Sequence, residues 1–326
     1  MKRREFITFI GGAAAWPLTA RAQQSTPPVV AFIRDGSADA SARLVPAFRK
    51  GLSETSYVEG QNVSVEYHWV EGQYDRLPAL MADLVRRQVA VIAALSGVPA
   101  RAAKAATATI PIVFGVGEDP VKIGLVASLA RPGGNATGVN ILASEVVAKR
   151  LRLLHDLVPE AVRVGALVNP GNASVTESTL RDVQEAAPTL GLQIQIIKAT
   201  TIGEVDAAFT TLVHERADAL IVAPDALFVG RRVQLAILTA RDRLPAIYGV
   251  REFAEAGGLV SYGPDLADTF RQVGIYTGRI LKGATPAELP VLQSTKFEFV
   301  INLTASKALG LTVPPALFSI ADEVIE

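Results

Sequence analysis

From residue 29 almost to the end of the chain, short apolar runs alternate with stretches of helical periodicity. Val29 to Ile33, Val63 to Trp69, Val89 to Leu95 and Ile110 to Phe114 read as strands, and their mostly continuous apolar character suits a parallel sheet covered on both faces. Between them Leu44, Phe48 and Leu52 recur at helical spacing, as do Leu77, Leu80, Leu84 and, one turn further, Gln88. Strand and helix in strict alternation, joined with right-handed crossovers, predict a Rossmann-like α/β sheet.

The pattern then repeats. Ala31-Phe32-Ile33 is answered by Ala166-Leu167-Val168, Val91-Ile92-Ala93 by Ala219-Leu220-Ile221, and the run Ile110 to Val116 by Leu244 to Val250, at offsets of 135, 128 and 134 residues. Element follows element in the same order, so two equivalent α/β lobes of a hundred-odd residues each are expected. In the tail, Leu259 to Tyr262 reads as a strand, Leu266 to Leu281 as a helix and Lys296 to Asn302 as a strand. A short helix from Thr304 and the Pro314-Pro315 break follow. A chain that returns after its second lobe places hinge segments near Gly138, Gly263 and Ser294. The expected division is 27–140 with 264–294 for one lobe and 141–263 with 295–326 for the other. Ligands bind such sheets at the carboxyl ends of strands, so two facing lobes predict a cleft there.

The first residues change the picture from fold to destination. Lys2-Arg3-Arg4, the apolar run Phe6 to Ala15 and the small-x-small site Ala20-Arg21-Ala22 read as a signal peptide over 1–22, with the mature chain starting at Gln23. Arg3-Arg4 followed by Glu5-Phe6-Ile7 also fits the twin-arginine pattern; the alternative is an ordinary secretory signal. The apolar run is about half of the ~20 residues a membrane span needs. A Gln/Ser/Thr/Pro linker, Gln23 to Pro28, leads into the first strand. The 326 residues carry 32 basic and 32 acidic side chains, a balance that offers no field for nucleic acid or an anionic membrane. Cysteine is absent, which removes disulfides, thiolate chemistry and a lipid-modified anchor. A free, monomeric periplasmic protein follows as the expectation.

Tyr57-Val58-Glu59-Gly60, Tyr74-Asp75-Arg76-Leu77-Pro78, Ile110-Pro111-Ile112-Val113-Phe114, Ala130-Arg131-Pro132-Gly133-Gly134-Asn135, Leu244-Pro245-Ala246-Ile247-Tyr248 and Lys296-Phe297-Glu298-Phe299-Val300-Ile301-Asn302 carry a resemblance. Taken together, they resemble the ABC-transporter substrate-binding family that includes the tryptophan/tyrosine-type receptors, over essentially the whole mature chain. The resemblance implies the type I periplasmic-binding-protein fold with three crossing strands, a small-molecule solute clamped between the lobes, and docking on an ABC permease in the inner membrane.

Candidate ligand-binding residues lie where strands end. Ser96-Gly97-Val98-Pro99 opens a helix whose free N–H groups suit a carboxylate, or is an ordinary helix start. The resemblance favours the site. Asp35-Gly36-Ser37 holds the equivalent place after the first strand, where a hydroxyl and free amides could bind an anion. Asp119 could meet a ligand ammonium or simply cap the helix after it. In the second lobe Asn169 and Asn172 could donate and accept at once, although both also suit a turn. Asp225, by family position a ligand contact, ends a strand, and Phe228 offers a ring to an apolar body. Tyr248, Glu252 and Tyr262 end the next strands, with the core as the alternative fate for the rings.

Catalytic patterns are not found. His68, His155 and His214 stand alone, without metal-ligand spacing. In Gly258-Leu259-Val260-Ser261-Tyr262-Gly263 the serine is one residue too far from the first glycine for a nucleophile elbow, and no Gly-x-Gly-x-x-Gly follows the first strand. No enzyme, cofactor or metal is therefore expected. The expected mechanism is hinge closure around a solute, an amino acid or an aromatic or other carboxylate compound, with the balance toward a zwitterion. A periplasmic sensor partner of a membrane receptor and, further off, a periplasmic enzyme are the other readings.

Overall fold

The computed structural model describes residues 27–141 and 143–326, with no side-chain detail for 143–145. The expected signal peptide lies outside the described residues. The first sheet and its helices are built from β1 (Val29–Arg34), α1 (Leu44–Glu54), β2 (Ser64–Trp69), α2 (Leu77–Arg86), β3 (Val91–Ala94), α3 (Gly97–Ala106), β4 (Ile112–Val116) and β5 (Ala136–Asn140). The chain then runs through α4 (Ala143–Leu157), β6 (Arg163–Val168), α5 (Ala173–Ala186), β7 (Gln193–Lys198), α6 (Ile202–His214) and β8 (Ala219–Val222). It continues through α7 (Ala226–Gly230), α8 (Arg232–Arg241), β9 (Ala246–Tyr248), α9 (Glu252–Glu255) and β10 (Val260–Pro264). It returns with α10 (Leu266–Leu281) and β11 (Leu292–Gln293), and ends with β12 (Phe297–Asn302), α11 (Leu303–Ala308), α12 (Pro315–Phe318) and β13 (Glu323–Ile325).

Two sheets result, ordered β11-β5-β4-β3-β1-β2 and β13-β12-β10-β9-β8-β6-β7. All strand pairs are parallel except β10 with β12, where the chain re-enters the second sheet from the opposite direction. The central strands β3, β4, β5, β8 and β9 are buried throughout, as strands with helices on both faces must be, whereas the edge strands β2 and β7 are half-exposed. The chain passes between the sheets three times: after β5, after β10 and after β11. The crossings are tied together, since the Asp265 amide donates to the Lys296 carbonyl at 3.0 Å and the Ser294 amide to the Asn140 carbonyl at 2.8 Å.

Two details of the sequence reading shift. Register pairs Val30 with Val91 in the first sheet and Val164 with Ala219 in the second, so Val30 corresponds to Val164 and the first repeat offset is 134 rather than 135. Asp35 thereby becomes the counterpart of Asn169. In α2 the buried stripe is Leu77, Met81 and Leu84, with Leu80 only partly covered. Gln88 lies beyond the helix end, exposed and left-handed at φ 51°.

Helix α10 belongs to the first sheet and lies close on α1, because glycines remove side chains from the crossing. A Cβ on Gly51 would overlap the Arg271 carbonyl, and one on Gly274 the Phe48 carbonyl. The two helices cover one face of the sheet with Phe48, Leu52, Phe270 and Val273 around Phe32, whose ring meets Phe48 edge-on at 5.1 Å.

Candidate functional site

A cavity of about 180 Å³ lies between the two lobes at the carboxyl ends of their strands. Its lobe-one wall comes from the loops after β1, β3 and β4 and from the start of α10; its lobe-two wall comes from α4, α5, the start of α7 and the loop after β9. Leu95, Val98, Val146, Val147, Val175 and Phe270 make much of it apolar. Ion pairs span the lobes beside it, Arg43 with Glu255 at 2.9 Å and Arg232 with Asp39 at 2.8 Å, so the lobes are drawn together.

Asp35, Ser96, Gly97, Asn172 and Asp225 line this cavity. Asp225 caps α7 by accepting from the Leu227 amide at 2.9 Å, and its two oxygens also accept from Asn169 Nδ2 at 2.8 Å and Asn172 Nδ2 at 3.1 Å. That arrangement gives both oxygens of a buried carboxylate hydrogen-bond donors. Asn172 Oδ1 is buried and has no partner among the described residues. Across the cleft, desolvation pushes Asp35 up to about 6; neighbouring Arg34 opposes the shift, and the negative charges of Asp225 and Glu118 add to it. Two carboxylates from opposite lobes thus share one field.

The remaining candidates fall outside the cavity wall, each for a visible reason. Ser37 is turned into its own loop, where its Oγ accepts from the Ala40 amide at 3.2 Å. Asp119 is exposed and caps the turn after it through the Val121 amide at 2.9 Å, the alternative noted from sequence. Asn169 stands behind Asp225 as its hydrogen-bond donor. Phe228 and Tyr248 are completely buried in the second lobe, with Tyr248 stacked on Phe253 at 4.3 Å, because their positions point into the helix-covered face. Glu252 borders a smaller neighbouring crevice with Arg43, Leu44 and Leu266. Tyr262 stacks on Phe297 at 6.0 Å, and only its carbonyl turns toward the cleft helix, accepting from Arg150 Nε at 2.6 Å.

The helix start at Ser96-Gly97 also differs from expectation. The Glu118 carboxylate presses on Gly97, where a Cβ would collide with it, and pairs with Arg101 at 3.5 Å. The protein's own acid thus stands where a ligand carboxylate was expected. Sequence reasoning missed Arg34, Glu118, Arg150, Thr179 and Asp182, all in the wall. Arg34 is buried, held by the Ala40 carbonyl at 3.1 Å and Ser41 Oγ at 2.6 Å, with its guanidinium 5.3 Å from the Phe270 ring centroid. Burial pushes Asp182 upward, opposed by Arg181. Arg34 ends β1 and Glu118 follows β4 beside Asp119, so the strand-end signal reached both; nothing local distinguished Arg150, Thr179 and Asp182.

Comparison with known proteins agrees with this architecture. The model of a family described as "ABC transporter substrate binding protein" matches residues 29–325. A tyrosine-binding protein of Clostridioides difficile (strain R20291) is 27% identical over 266 residues, 81% of this chain and 75% of the relative. A conserved domain protein from Vibrio cholerae superposes with a TM-score of 0.85 at 26% identity, covering 92% of this chain and all of the other. The ABC domain from Streptococcus pneumonia in complex with L-Trp superposes at 0.82 with 22% identity and the same coverage. With two α/β lobes, a cleft at their strand ends and a match over nearly the full described length, the chain belongs to the ABC transporter substrate-binding protein family.

Proposed function

We propose that the chain is the exported binding component of an ABC importer and that its solute is an amino acid with a large apolar side chain. The observation that carries this reading is the pairing of acceptors across the cleft. Asp35 from one lobe and Asp225 from the other stand with the unpartnered Asn172 Oδ1, beside an apolar wall. An ammonium carries a positive charge and three N–H donors, which match two carboxylates and an amide oxygen at once. Leu95, Val98, Val146, Val147 and Phe270 would then cover the apolar body. The tyrosine-binding relative and the L-Trp complex support this class of ligand.

Closure needs no bond chemistry. Without a cation the two carboxylates repel across the cleft; an ammonium between them turns the same field attractive, so binding shifts the population toward the closed form. The closed surface is what a permease outside the cytoplasmic face of the inner membrane would read. A thermal-shift screen of the mature chain against the standard amino acids, simple monocarboxylates and sugars tests the reading. Stabilisation growing as ln(1 + [L]/Kd) is expected for aromatic or branched amino acids. Stabilisation by sugars alone contradicts it.

A further inference from the structure

Among the described residues, Arg150 is the basic residue of the cleft wall with no charged partner. It projects from the middle of α4, one turn beyond Val146 and Val147, and is only 3% exposed. Its Nε donates to the Tyr262 carbonyl at 2.6 Å and Nη2 to the Gly249 carbonyl at 3.4 Å. Gly249 and Gly263 leave the room in which the guanidinium lies: a Cβ on Gly249 would come within 2.9 Å of Nη2. Among the described residues no carboxylate pairs with it, and Nη1 has no hydrogen-bond partner. Burial accordingly pushes its pKa down to about 10, opposed only by the Tyr262 side chain.

The other cations of the wall and its rim differ. Arg34 has Asp35 and Glu252 in its field, and Arg101 has Glu118. A guanidinium left buried and unpaired is destabilising unless something else completes it. Two neutral carbonyls fix the orientation of this one without neutralising it. The alternative seat for an anion, the start of α3, is covered by Glu118.

We propose that Arg150 receives the ligand's carboxylate, so that the cleft reads a zwitterion by its two poles: acceptors of Asp35, Asn172 and Asp225 at one end, a lone guanidinium at the other. This rests on the cleft being the ligand site and adds which residue selects the acid group. The fork of Arg150 suits a planar carboxylate, and none of the described carboxylates of the wall, Asp35, Glu118, Asp182 and Asp225, forms an ion pair with it. Decarboxylated amines and amides would leave it uncompensated and be rejected.

The test is calorimetry with L-tryptophan, L-tryptophanamide and indole-3-propionate on the wild type, Arg150→Gln and Arg150→Lys, with thermal unfolding to verify each fold. Glutamine keeps a donor for the Tyr262 carbonyl but removes the charge; lysine keeps the charge. The wild type should favour the amino acid over its amide by about 100-fold. Arg150→Gln should erase that preference by weakening the amino acid while leaving the amide unchanged, and Arg150→Lys should restore part of it. Equal binding of acid and amide by the wild type overturns the assignment whatever the variants do. Equal loss of both ligands in a folded Arg150→Gln protein also overturns it, because that marks a structural role. Undiminished preference in Arg150→Gln overturns it while leaving the amino-acid reading intact. Arg150-dependent binding of indole-3-propionate with no binding of the amino acid supports the assignment and removes the amino-acid reading. Binding of no acid-bearing probe by the wild type overturns both.

Discussion

Asn169 Nδ2 donates to Asp225 Oδ1 at 2.8 Å, joining the loop after β6 to the cap of α7 across 56 residues of sequence. With Asn172 on the other oxygen, the pair fixes a buried carboxylate in the cleft wall and leaves Asn172 Oδ1 without a partner among the described residues. The repeat gives the arrangement its meaning. In the register of the two sheets Asn169 corresponds to Asp35, so the lobes present complementary versions of one strand-end loop.

Asp225→Ala should weaken binding of an ammonium-bearing ligand by about 2 to 3 kcal/mol. It should also lower stability by about 1 to 2 kcal/mol, since two buried amides and the α7 cap lose their acceptor. Asn169→Ala should cost stability of the same order but less affinity, because it acts through Asp225. Calorimetry and urea unfolding separate the two effects, and equal losses of affinity in both variants would count against a direct contact for Asp225.

Asp35 predicts a pH dependence of defined sign. Its pKa is raised to about 6 from an ordinary 3.8, so the native state holds its proton more tightly than the unfolded chain does. The stability it contributes is full below about pH 4 and is lost as pH rises through about 6. Ligand binding runs the other way: an ammonium prefers the ionised carboxylate, so affinity should rise between pH 5 and pH 7 and then level. The groups facing Asp35 are Arg34, Ser96, Glu118 and Asp225, and Asp35→Asn should flatten the profile. Titration at pH 5 in buffers of different ionisation enthalpy should detect net proton release in the wild type and less of it in the variant.

The cross-lobe ion pairs should trim closure rather than drive it. Asp39 is mostly exposed and Glu255 is shared between Arg43 and Arg251, so each pair is worth about 0 to 1 kcal/mol and screens with salt. Glu255→Gln with Asp39→Asn should raise the ligand off-rate a few-fold at low salt and leave it nearly unchanged at high salt, as stopped-flow release would record.

Gly274→Val should be much more costly than either. The added atoms would meet the Phe48 carbonyl in the α1–α10 contact, and overpacking of this kind costs about 1 to 3 kcal/mol or more. Chemical denaturation should show that loss, with the mutant cleft still able to bind at low temperature.

Strands and their order were legible because central parallel strands are apolar on both faces, and such runs stand out between amphipathic helices. The same property hid the register: with both faces apolar, Ala31 matches Ala166 by identity as well as Val30 matches Val164 by position. Loops after strands were legible as the ligand end, which brought Asp35, Ser96, Gly97, Asn172 and Asp225 to one wall. Which way Phe228 and Tyr248 turn was not, since a ring near a strand end suits core and cleft equally. Arg150 was invisible: between Lys149 and Leu151, in a helix that also carries Arg152, it reads as a solvated charge until Gly249 and Gly263 open the space that buries it.

The most direct measurement is a calorimetric titration of residues 23–326 with the amino acid that stabilises them most, beside the same molecule stripped of its ammonium and, separately, of its carboxylate. The intact zwitterion should bind at least about 30-fold more tightly than either stripped form, because each leaves a buried group of one pole unpaired. Either stripped form binding as tightly as the zwitterion would contradict it.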